Sequence, residues 1–296
     1  MQILEGHKGA IQALAFSPDG TTLASAGQDG VLLKWDTSGA SSELIHADGP
    51  LGSLAFGESG RRFAAGGTDG SLAVWNFEQG LVKMFRPVGS SSITGLAFLP
   101  GESQLAVASV DEHGKSGGKP GLMLFDWQSG RSRSLPIDQG VSTSVRALAG
   151  QAKQRLLAWT TEPRALTVWN QTKPDPINFK PTSPCNALAI SPDGLALVAA
   201  CDWKAIVYGI VRKQERFALT GHKGNVRSLA ISPDNRRILT GSWDKTVKCW
   251  EADSGREVSS YDWRIGRVNC VAFAPDGLRA AAAGDEGKII VWDVEE

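Results

Sequence analysis

Two sets of residues in this sequence contain the groups of a hydrolytic triad, namely a hydroxyl, an imidazole and a carboxylate. The sets are His7, Ser25, Asp29 and Trp35, and His222, Thr240, Asp244 and Trp250. In both, the Asp follows the His by 22 residues and the hydroxyl by four, and it precedes the Trp by six. An active site needs to be built only once, whereas this arrangement occurs twice. We therefore expect both sets to be structural, and the protein not to be an enzyme.

Other signals of catalysis or cofactor binding are weak. The sequence has no Gly-rich phosphate loop with its Lys and Ser or Thr. Of its four His, His113 lies in a polar loop with no second metal ligand in evidence. We expect no metal, no cofactor and no small-molecule substrate. The cysteines show no close paired spacing and lie in apolar runs, which predicts buried free thiols in a reducing cytosol, with a disulfide or a metal site as the less favoured alternatives. They are Cys185, Cys201, Cys249 and Cys270.

The charge balance argues against nucleic acid and anionic membranes as general partners. The chain has 31 basic and 31 acidic residues, so no net charge draws it to polyanions. The N-terminal sequence lacks the pattern of a signal peptide, and no apolar run approaches the length of a membrane span. We expect a cytoplasmic protein with no membrane association.

A short apolar motif occurs seven times and determines the predicted architecture. Its copies begin at Ile11, Leu51, Ile93, Val145, Cys185, Val226 and Val268, which are 40, 42, 52, 40, 41 and 42 residues apart. Repeats of about 40–45 residues are typical of propeller blades. Each copy alternates as a strand does, and several are followed by a turn such as Ser17-Pro-Asp-Gly20 and by further apolar runs. The pattern predicts an all-β, seven-bladed β-propeller of four-stranded antiparallel blades.

Signature pairs within the repeats resemble those of the WD40-repeat family along essentially the whole chain. They are Gly6-His7, Gly221-His222, Trp35-Asp36 and Trp292-Asp293. The resemblance implies one domain, 1–296, with blades at about 7–46, 47–88, 89–138, 139–180, 181–220, 221–262, and 263–296 plus 1–6. It also implies that an N-terminal strand at Gln2–Leu4 completes the last blade and closes the ring.

The same resemblance gives the two polar sets a structural role. In this family the Trp indole N–H, the hydroxyl, the imidazole and the carboxylate form one hydrogen-bonded network that joins the strands of a blade. Blade two keeps His46 and Asp69 but has Ala65 at the hydroxyl position, so we expect its network to be incomplete.

The resemblance further implies that one face around the central channel carries the partner site; we call it the channel face. The residues two before the Leu of each motif point to it, and they are Gln12, Gly52, Thr94, Arg146, Asn186, Arg227 and Asn269. Blades four to seven add Trp, Arg and acidic residues, which are common interface anchors. The predicted partner-binding residues are Arg146, Glu162, Asn186, Trp203, Arg227, Trp243, Trp263, Arg264, Arg267, Asn269 and Asp285.

Two functional hypotheses follow from this distribution. The first is a non-catalytic protein-interaction scaffold that binds a peptide or protein segment, including one with an acidic or phosphorylated group. The alternative is a nucleic-acid or phosphoinositide reader that uses the surface Arg groups. Each Trp could instead pack against a neighbouring blade. The insertion at 111–120 could flank the site or be a neutral surface loop.

Overall fold

A computed structural model describes residues 1–36, 40–76, 80–111, 121–135, 144–161, 164–173 and 175–294. Within these ranges the chain forms 28 strands in seven antiparallel sheets of four. The predicted all-β, seven-bladed propeller is confirmed. The predicted binding residue Glu162 lies outside the described residues. So do residues 112–120 of the insertion, which include His113.

Blades one to four follow one another along the chain. Blade one consists of β2 (Ile11–Phe16), β3 (Thr22–Gly27), β4 (Val31–Asp36) and β5 (Ser41–His46). Blade two consists of β6 (Leu51–Phe56), β7 (Arg62–Gly67), β8 (Leu72–Asn76) and β9 (Gly80–Phe85). Blade three consists of β10 (Ser92–Phe98), β11 (Gln104–Val110), β12 (Gly121–Asp126) and β13 (Arg131–Ser134). Blade four consists of β14 (Val145–Gln151), β15 (Leu156–Thr161), β16 (Ala165–Asn170) and β17 (Ile177–Phe179).

The remaining three blades complete the ring. Blade five consists of β18 (Cys185–Ile190), β19 (Ala196–Cys201), β20 (Lys204–Gly209) and β21 (Gln214–Thr220). Blade six consists of β22 (Val226–Ile231), β23 (Arg237–Ser242), β24 (Val247–Glu251) and β25 (Glu257–Tyr261). Blade seven consists of β26 (Val268–Phe273), β27 (Arg279–Gly284), β28 (Lys288–Asp293) and the N-terminal β1 (Gln2–Glu5).

The first strand of each blade is the innermost one. These strands pack against one another in sequence order, and β26 packs against β2, so they surround a central channel. The second strands are almost entirely buried; all six residues of β3, for example, are inaccessible. Each apolar cluster lies between two neighbouring blades, as where Leu4 and Ile289 of blade seven meet Ile11 and Trp35 of blade one. Blade-to-blade burial therefore stabilises the ring.

The N-terminal strand closes blade seven as expected. It pairs antiparallel with β28, from Gln2 opposite Val291 to Glu5 opposite Lys288. Leu4 is buried in the cluster between blades seven and one. The Glu5–Lys288 ion pair, at 2.9 Å, is exposed and contributes little. Because β1 covers the outer edge of β28, blade seven has its fourth strand and the ring is joined through backbone hydrogen bonds.

The cysteine prediction is correct for one pair and wrong for the other. Cys249 and Cys270 are free and buried, and burial raises the pKa of the Cys270 thiol. Cys185 and Cys201 are joined in a disulfide. They are 16 residues apart in sequence, but the register of β18 and β19 places them opposite each other, with Cα atoms 4.2 Å apart. Because disulfides are rare in a reducing cytosol, the cysteines no longer support the predicted cytoplasmic location. The location stays a prediction.

No stretch of helix in the described ranges is both long and apolar enough to cross a bilayer.

Candidate functional site

The polar set of blade one forms a closed network inside the blade. The His7 imidazole has Nε2 2.7 Å from Ser25 Oγ and Nδ1 3.0 Å from Asp29 Oδ2. Trp35 Nε1 donates to Ser25 Oγ at 2.8 Å, and the Lys8 backbone N–H donates to Asp29 Oδ2 at 2.8 Å. The tautomer with its proton on Nδ1 satisfies every group, because Nε2 then accepts from the hydroxyl. The side chains of Ser25 and His7 have no exposed surface, so a substrate cannot reach this hydroxyl.

Blade six repeats this geometry with a threonine. His222 Nε2 lies 2.7 Å from Thr240 Oγ1, and its Nδ1 lies 2.8 Å from Asp244 Oδ2. Trp250 Nε1 donates to Thr240 Oγ1 at 2.8 Å. Burial lowers the pKa of His222 and keeps the imidazole neutral, although Asp244 opposes this shift. Burial also disfavours the Asp244 carboxylate, but hydrogen bonds from Thr246, the Lys223 backbone and His222 outweigh it and lower its pKa to about 2.

Other blades lack parts of the network. In blade two, Asp69 accepts a hydrogen bond from Ser71 and pairs with Arg86 at 2.9 Å, while His46 lies exposed on β5 of blade one. The phenolic hydroxyl of Tyr208 in blade five and the indole N–H of Trp292 in blade seven are buried and have no hydrogen-bond partner among the described residues. At the hydroxyl position these two blades have Ala199 and Ala282.

The innermost strand of every blade carries a β-bulge at the same position, and this organises the channel. The seven extra residues, each skipped by the strand register, are Gln12, Gly52, Thr94, Arg146, Asn186, Arg227 and Asn269. A bulge re-aims the side chain of its extra residue. The ring of bulges is uneven, because blades four and six contribute guanidinium groups and blade two contributes only a glycine.

A polar cavity of about 410 Å³ opens at the bulges of blades three to six; we call it the channel-mouth cavity. Its lining residues are Thr94, Val110, Asp111, Ser144, Arg146, Asn186 and Arg227. Among the described residues that line it, the ionisable groups are thus two guanidinium groups and one carboxylate. Partial burial lowers the pKa of Arg227, and the positive charge of Arg146 lowers it further. An arginine retains its proton despite such a shift, so two positive charges are held close together at neutral pH.

Trp243 lies beside this cavity, in the β23–β24 turn, and supports two arginines. The guanidinium carbons of Arg227 and Arg267 are 4.9 and 5.1 Å from the centroid of its ring. Trp243 is 37% exposed. Arg267 also pairs with Asp285, with Nε 2.6 Å from Oδ2, and Asp285 Oδ1 accepts from Asn269 Nδ2 at 3.0 Å. The residues joined by these contacts form one contiguous group, which we call the Trp243 cluster. Its members are Trp243, Arg227, Arg267, Asp285 and Asn269.

The carboxylate of Asp285 is held in its charged form. Burial raises its pKa, but the hydrogen bonds from Arg267 and Asn269 outweigh burial and bring the pKa below its ordinary value. Asn269 also donates to the Ile11 carbonyl at 3.2 Å, and so ties blade seven to blade one at the channel.

The structure gathers some of the predicted binding residues and separates others. Arg146, Asn186 and Arg227 line one cavity, and the Trp243 cluster adjoins it. Trp203 is 63% exposed in the two-residue turn between β19 and β20, and Arg264 is also exposed. Trp263 instead stacks on Tyr261, with ring centroids 4.8 Å apart, and packs on Trp292 at 4.4 Å.

One of the two alternatives for the insertion at 111–120 gains support, and one feature of the site was not anticipated from the sequence. Asp111, the first residue of that insertion, belongs to the cavity lining, so this residue flanks the site. The ring of Trp243 contacts two guanidinium groups, so much of it is already engaged within the protein. Three of the five participating blades, namely four, six and seven, contribute an arginine at or next to the start of the repeated motif, and this regular position was the available signal.

Comparison with known families agrees with this architecture. The family model "WD domain, G-beta repeat" matches residues 1–36, 42–76, 213–251 and 257–293, which fall in blades one, two, six and seven. The chain belongs to the WD40-repeat family. WD40 propellers are typically protein-interaction scaffolds, generally bind protein partners and are usually non-catalytic.

The relatives of this WD40 chain are matched over only part of their own length. Telomerase protein component 1 of Mus musculus is 26% identical over 299 residues, covering 98% of this chain and 10% of that protein. The periodic tryptophan protein 2 homolog of Neurospora crassa is 28% identical over 127 residues, which is 42% of this chain and 14% of that protein. Small ribosomal subunit protein RACK1y of Oryza sativa subsp. japonica is 40% identical over 78 residues, which is 26% of this chain and 23% of that protein. The match covers less than a quarter of each relative's length.

Proposed function

We propose that this WD40 propeller is a non-catalytic scaffold that binds a peptide or protein segment on its channel face, at the channel-mouth cavity and the Trp243 cluster. The observation that carries the proposal is the contact of the exposed Trp243 ring with Arg227 and Arg267 beside an open polar cavity. Trp and Arg are the residues most enriched among those that dominate binding energy at protein interfaces.

The rigidity of this surface favours binding. Immobilising a long side chain at an interface costs about 0.5–1.5 kcal/mol in lost conformational freedom. Contact with Trp243 already restricts the side chain of Arg227, and the ion pair with Asp285 already restricts that of Arg267. These arginines therefore lose less conformational entropy when a partner binds. The bulges place the binding groups on the innermost strands, whose positions are set by packing against both neighbouring blades.

The buried networks support a scaffold rather than a hydrolase. Ser25 and Thr240 have no exposed surface, and each hydroxyl accepts from a Trp indole and contacts an imidazole. A nucleophile must reach the substrate carbonyl, and neither hydroxyl has a path to one. The geometry therefore supports a structural role, in which each hydroxyl links side chains within its own blade.

Affinity capture with matched variants tests the proposal. Trp243→Ala and Arg227→Ala should lose a partner that the unmodified protein retains, while each variant unfolds within about 2 °C of the parent, since surface substitutions change stability little. Arg236→Ala is the control, because Arg236 is an exposed arginine in the β22–β23 hairpin, at the opposite end of its blade from the Trp243 turn. Unchanged capture by both channel-face variants would contradict the proposal, as would loss explained by a lowered melting temperature.

A nucleic-acid or phosphoinositide reader is the second candidate, and the pair of arginines in one cavity favours it. The zero net charge of the chain argues against it, because non-specific phosphate binding depends on an excess of basic groups. Binding of single-stranded RNA, or of vesicles containing a phosphoinositide, that weakens steeply between 50 and 200 mM salt would favour this candidate over a protein partner.

A further inference from the structure

The two guanidinium groups on the Trp243 ring are in different electrostatic situations. Arg267 is neutralised by Asp285 at 2.6 Å. Arg227 has no carboxylate within ion-pair distance in the described part of the chain, and its close contact is the Trp243 ring. A cation–π contact orients a guanidinium group but does not neutralise its charge. Arg227 is therefore a held, positively charged group at the edge of a cavity.

Arg146 brings a second positive charge to the same cavity. Arg146 and Arg227 occupy the bulges of blades four and six, and Asn186 occupies the bulge of blade five between them. All three line the channel-mouth cavity, and among the described residues of that lining the ionisable groups are these two arginines and Asp111. Arg146 and Asp111 each make a further interaction within the protein, so the charge without a counter-ion among the described residues is that of Arg227. Burial lowers the pKa of Arg227 and the positive charge of Arg146 lowers it further, so an anion beside these guanidinium groups would be stabilised.

The other bulge positions leave room for a ligand to enter. Gly52 in blade two has no side chain, and a Cβ added there would meet nothing closer than 4.0 Å. The Thr94 hydroxyl is directed to a neighbouring blade, where it donates to the Val145 carbonyl. The channel is thus open on the side of blade two and positively charged on the side of blades four and six.

We infer that the channel-mouth cavity is an oxyanion site, in which Arg146 and Arg227, with the amide of Asn186, bind the carboxylate or phosphate of an anionic side chain in the bound segment. This rests on the proposed function and names the chemistry that the same surface recognises. Guanidinium groups bind carboxylate and phosphate through paired, charge-assisted hydrogen bonds, which gives geometric selectivity. Trp243 is a positioning residue in this site, because it holds the Arg227 guanidinium without contacting the anion.

Arginine side-chain NMR of the purified chain tests this inference, with the Nε–H signals of Arg146 and Arg227 assigned by substitution. The probes are inorganic phosphate and acetate, titrated at constant ionic strength. Saturable shifts of both arginine signals are expected with one probe or both, and the relative affinities distinguish a phosphate from a carboxylate preference. Arg227→Gln should weaken binding at least about tenfold, since it removes one charge-assisted partner. Arg236→Gln should leave the affinity unchanged.

Three further variants keep the result interpretable. Trp243→Phe should retain part of the affinity and Trp243→Leu should lose more of it, because only an aromatic ring supports the guanidinium. Equal affinities in these two variants would show that Trp243 does not position Arg227. Gly52→Glu should weaken anion binding by placing a carboxylate in the channel, and its melting temperature reports whether the fold is retained.

The failure of this inference differs from failure of the proposed function. Linear, unsaturated shifts, or equal affinity in Arg227→Gln, would overturn the oxyanion site. A protein partner captured through Trp243 and Arg227 but not displaced by phosphate or acetate would leave the scaffold function intact and reject the anion site alone. Tight binding of a single-stranded RNA, abolished in Arg227→Gln, would overturn the assignment to a peptide side chain.

Discussion

Blades six and seven each bury a tryptophan at the same position of the third strand. They differ in the hydrogen bonding of its indole N–H. In blade six, Trp250 Nε1 donates to Thr240, which contacts His222. In blade seven, Ala282 stands at the threonine position, and the buried Trp292 Nε1 has no hydrogen-bond partner within the part of the chain that the structure describes. Trp263 and Tyr261 pack around Trp292 instead. Burial of the ring between blades therefore defines this position, and the hydrogen-bonded network is an additional stabilising element.

The two blades also differ in chain connectivity. Blade six takes all four strands from one continuous stretch, whereas blade seven takes its outer strand, β1, from the other end of the chain. Blade seven has thus lost the internal network and depends on a distant strand. This comparison yields four predictions. Each concerns a change that affects either blade six or blade seven.

Deletion of residues 1–6 should have the largest effect, and it acts on blade seven. The deletion removes the buried Leu4 and the strand that covers β28. A buried Leu contributes about 1.5–3 kcal/mol and each ladder hydrogen bond about 0.5–1.5 kcal/mol, so we expect a loss of more than about 4 kcal/mol. For a chain of this size the melting temperature should fall by roughly 10 °C, measured by circular dichroism. Ile3→Ala, on the same strand but 54% exposed, is the control and should change little. A superimposable melting curve for the deletion would disprove the closure by β1.

Thr240→Ala should have the next largest effect, and it acts on blade six. It leaves Trp250 Nε1 and His222 Nε2 buried without their hydroxyl partner. Each stranded group costs about 1–3 kcal/mol, so urea denaturation should show a loss of about 2–4 kcal/mol. Thr240→Ser keeps the hydroxyl and should recover most of that loss. If the alanine and serine variants were equally stable, the network would contribute nothing.

Lowering the pH should destabilise blade six, because it protonates the Asp244 carboxylate. The expected loss of stability is smaller than that caused by Thr240→Ala. Its pKa is about 2 in the folded protein and 3.8 ordinarily, so its contribution is fully present above pH 4 and is lost as the pH falls toward 2. Asp244→Asn should therefore be less stable than the parent at pH 7, by about 1–2 kcal/mol. The difference between the two melting temperatures should narrow between pH 4 and pH 2. A constant difference across that range would mean that the carboxylate charge is not involved.

Ala282→Ser should have the smallest effect, and it makes blade seven resemble blade six. The new hydroxyl faces Trp292 Nε1, as Thr240 faces Trp250, and should add up to about 1 kcal/mol of stability. Ala281→Ser is the matched control, because Ala281 is equally buried but packs in the apolar cluster of Leu4 and Ile289, so its hydroxyl should destabilise. Equal destabilisation by both substitutions would show that blade seven has no room for the missing hydroxyl.

The prediction from sequence was accurate for the two polar networks, whose members lie within one repeat at a regular spacing. The members of the His222 network fall within 28 residues of one another, from His222 to Trp250, and their spacing in blade one is the same. The disulfide between Cys185 and Cys201 was missed, although both lie in one hairpin, because it depends on strand register rather than on spacing. The contacts of Trp263 were also not predictable from spacing. This residue lies outside the signature positions, yet its ring stacks on Tyr261 and packs against Trp292.

The amino-acid sequence by itself determined the number of blades, their order, the strands within each blade and the two polar networks, because these depend on local patterning and short-range spacing. Only the tertiary structure decided which side chains share the channel-mouth cavity and which aromatic rings pack together. Arg146 and Arg227 are two repeats apart, and they line one cavity because ring closure sets the distance between the innermost strands that carry their bulges. Such distances depend on the packing of all seven blades together, which no single repeat encodes.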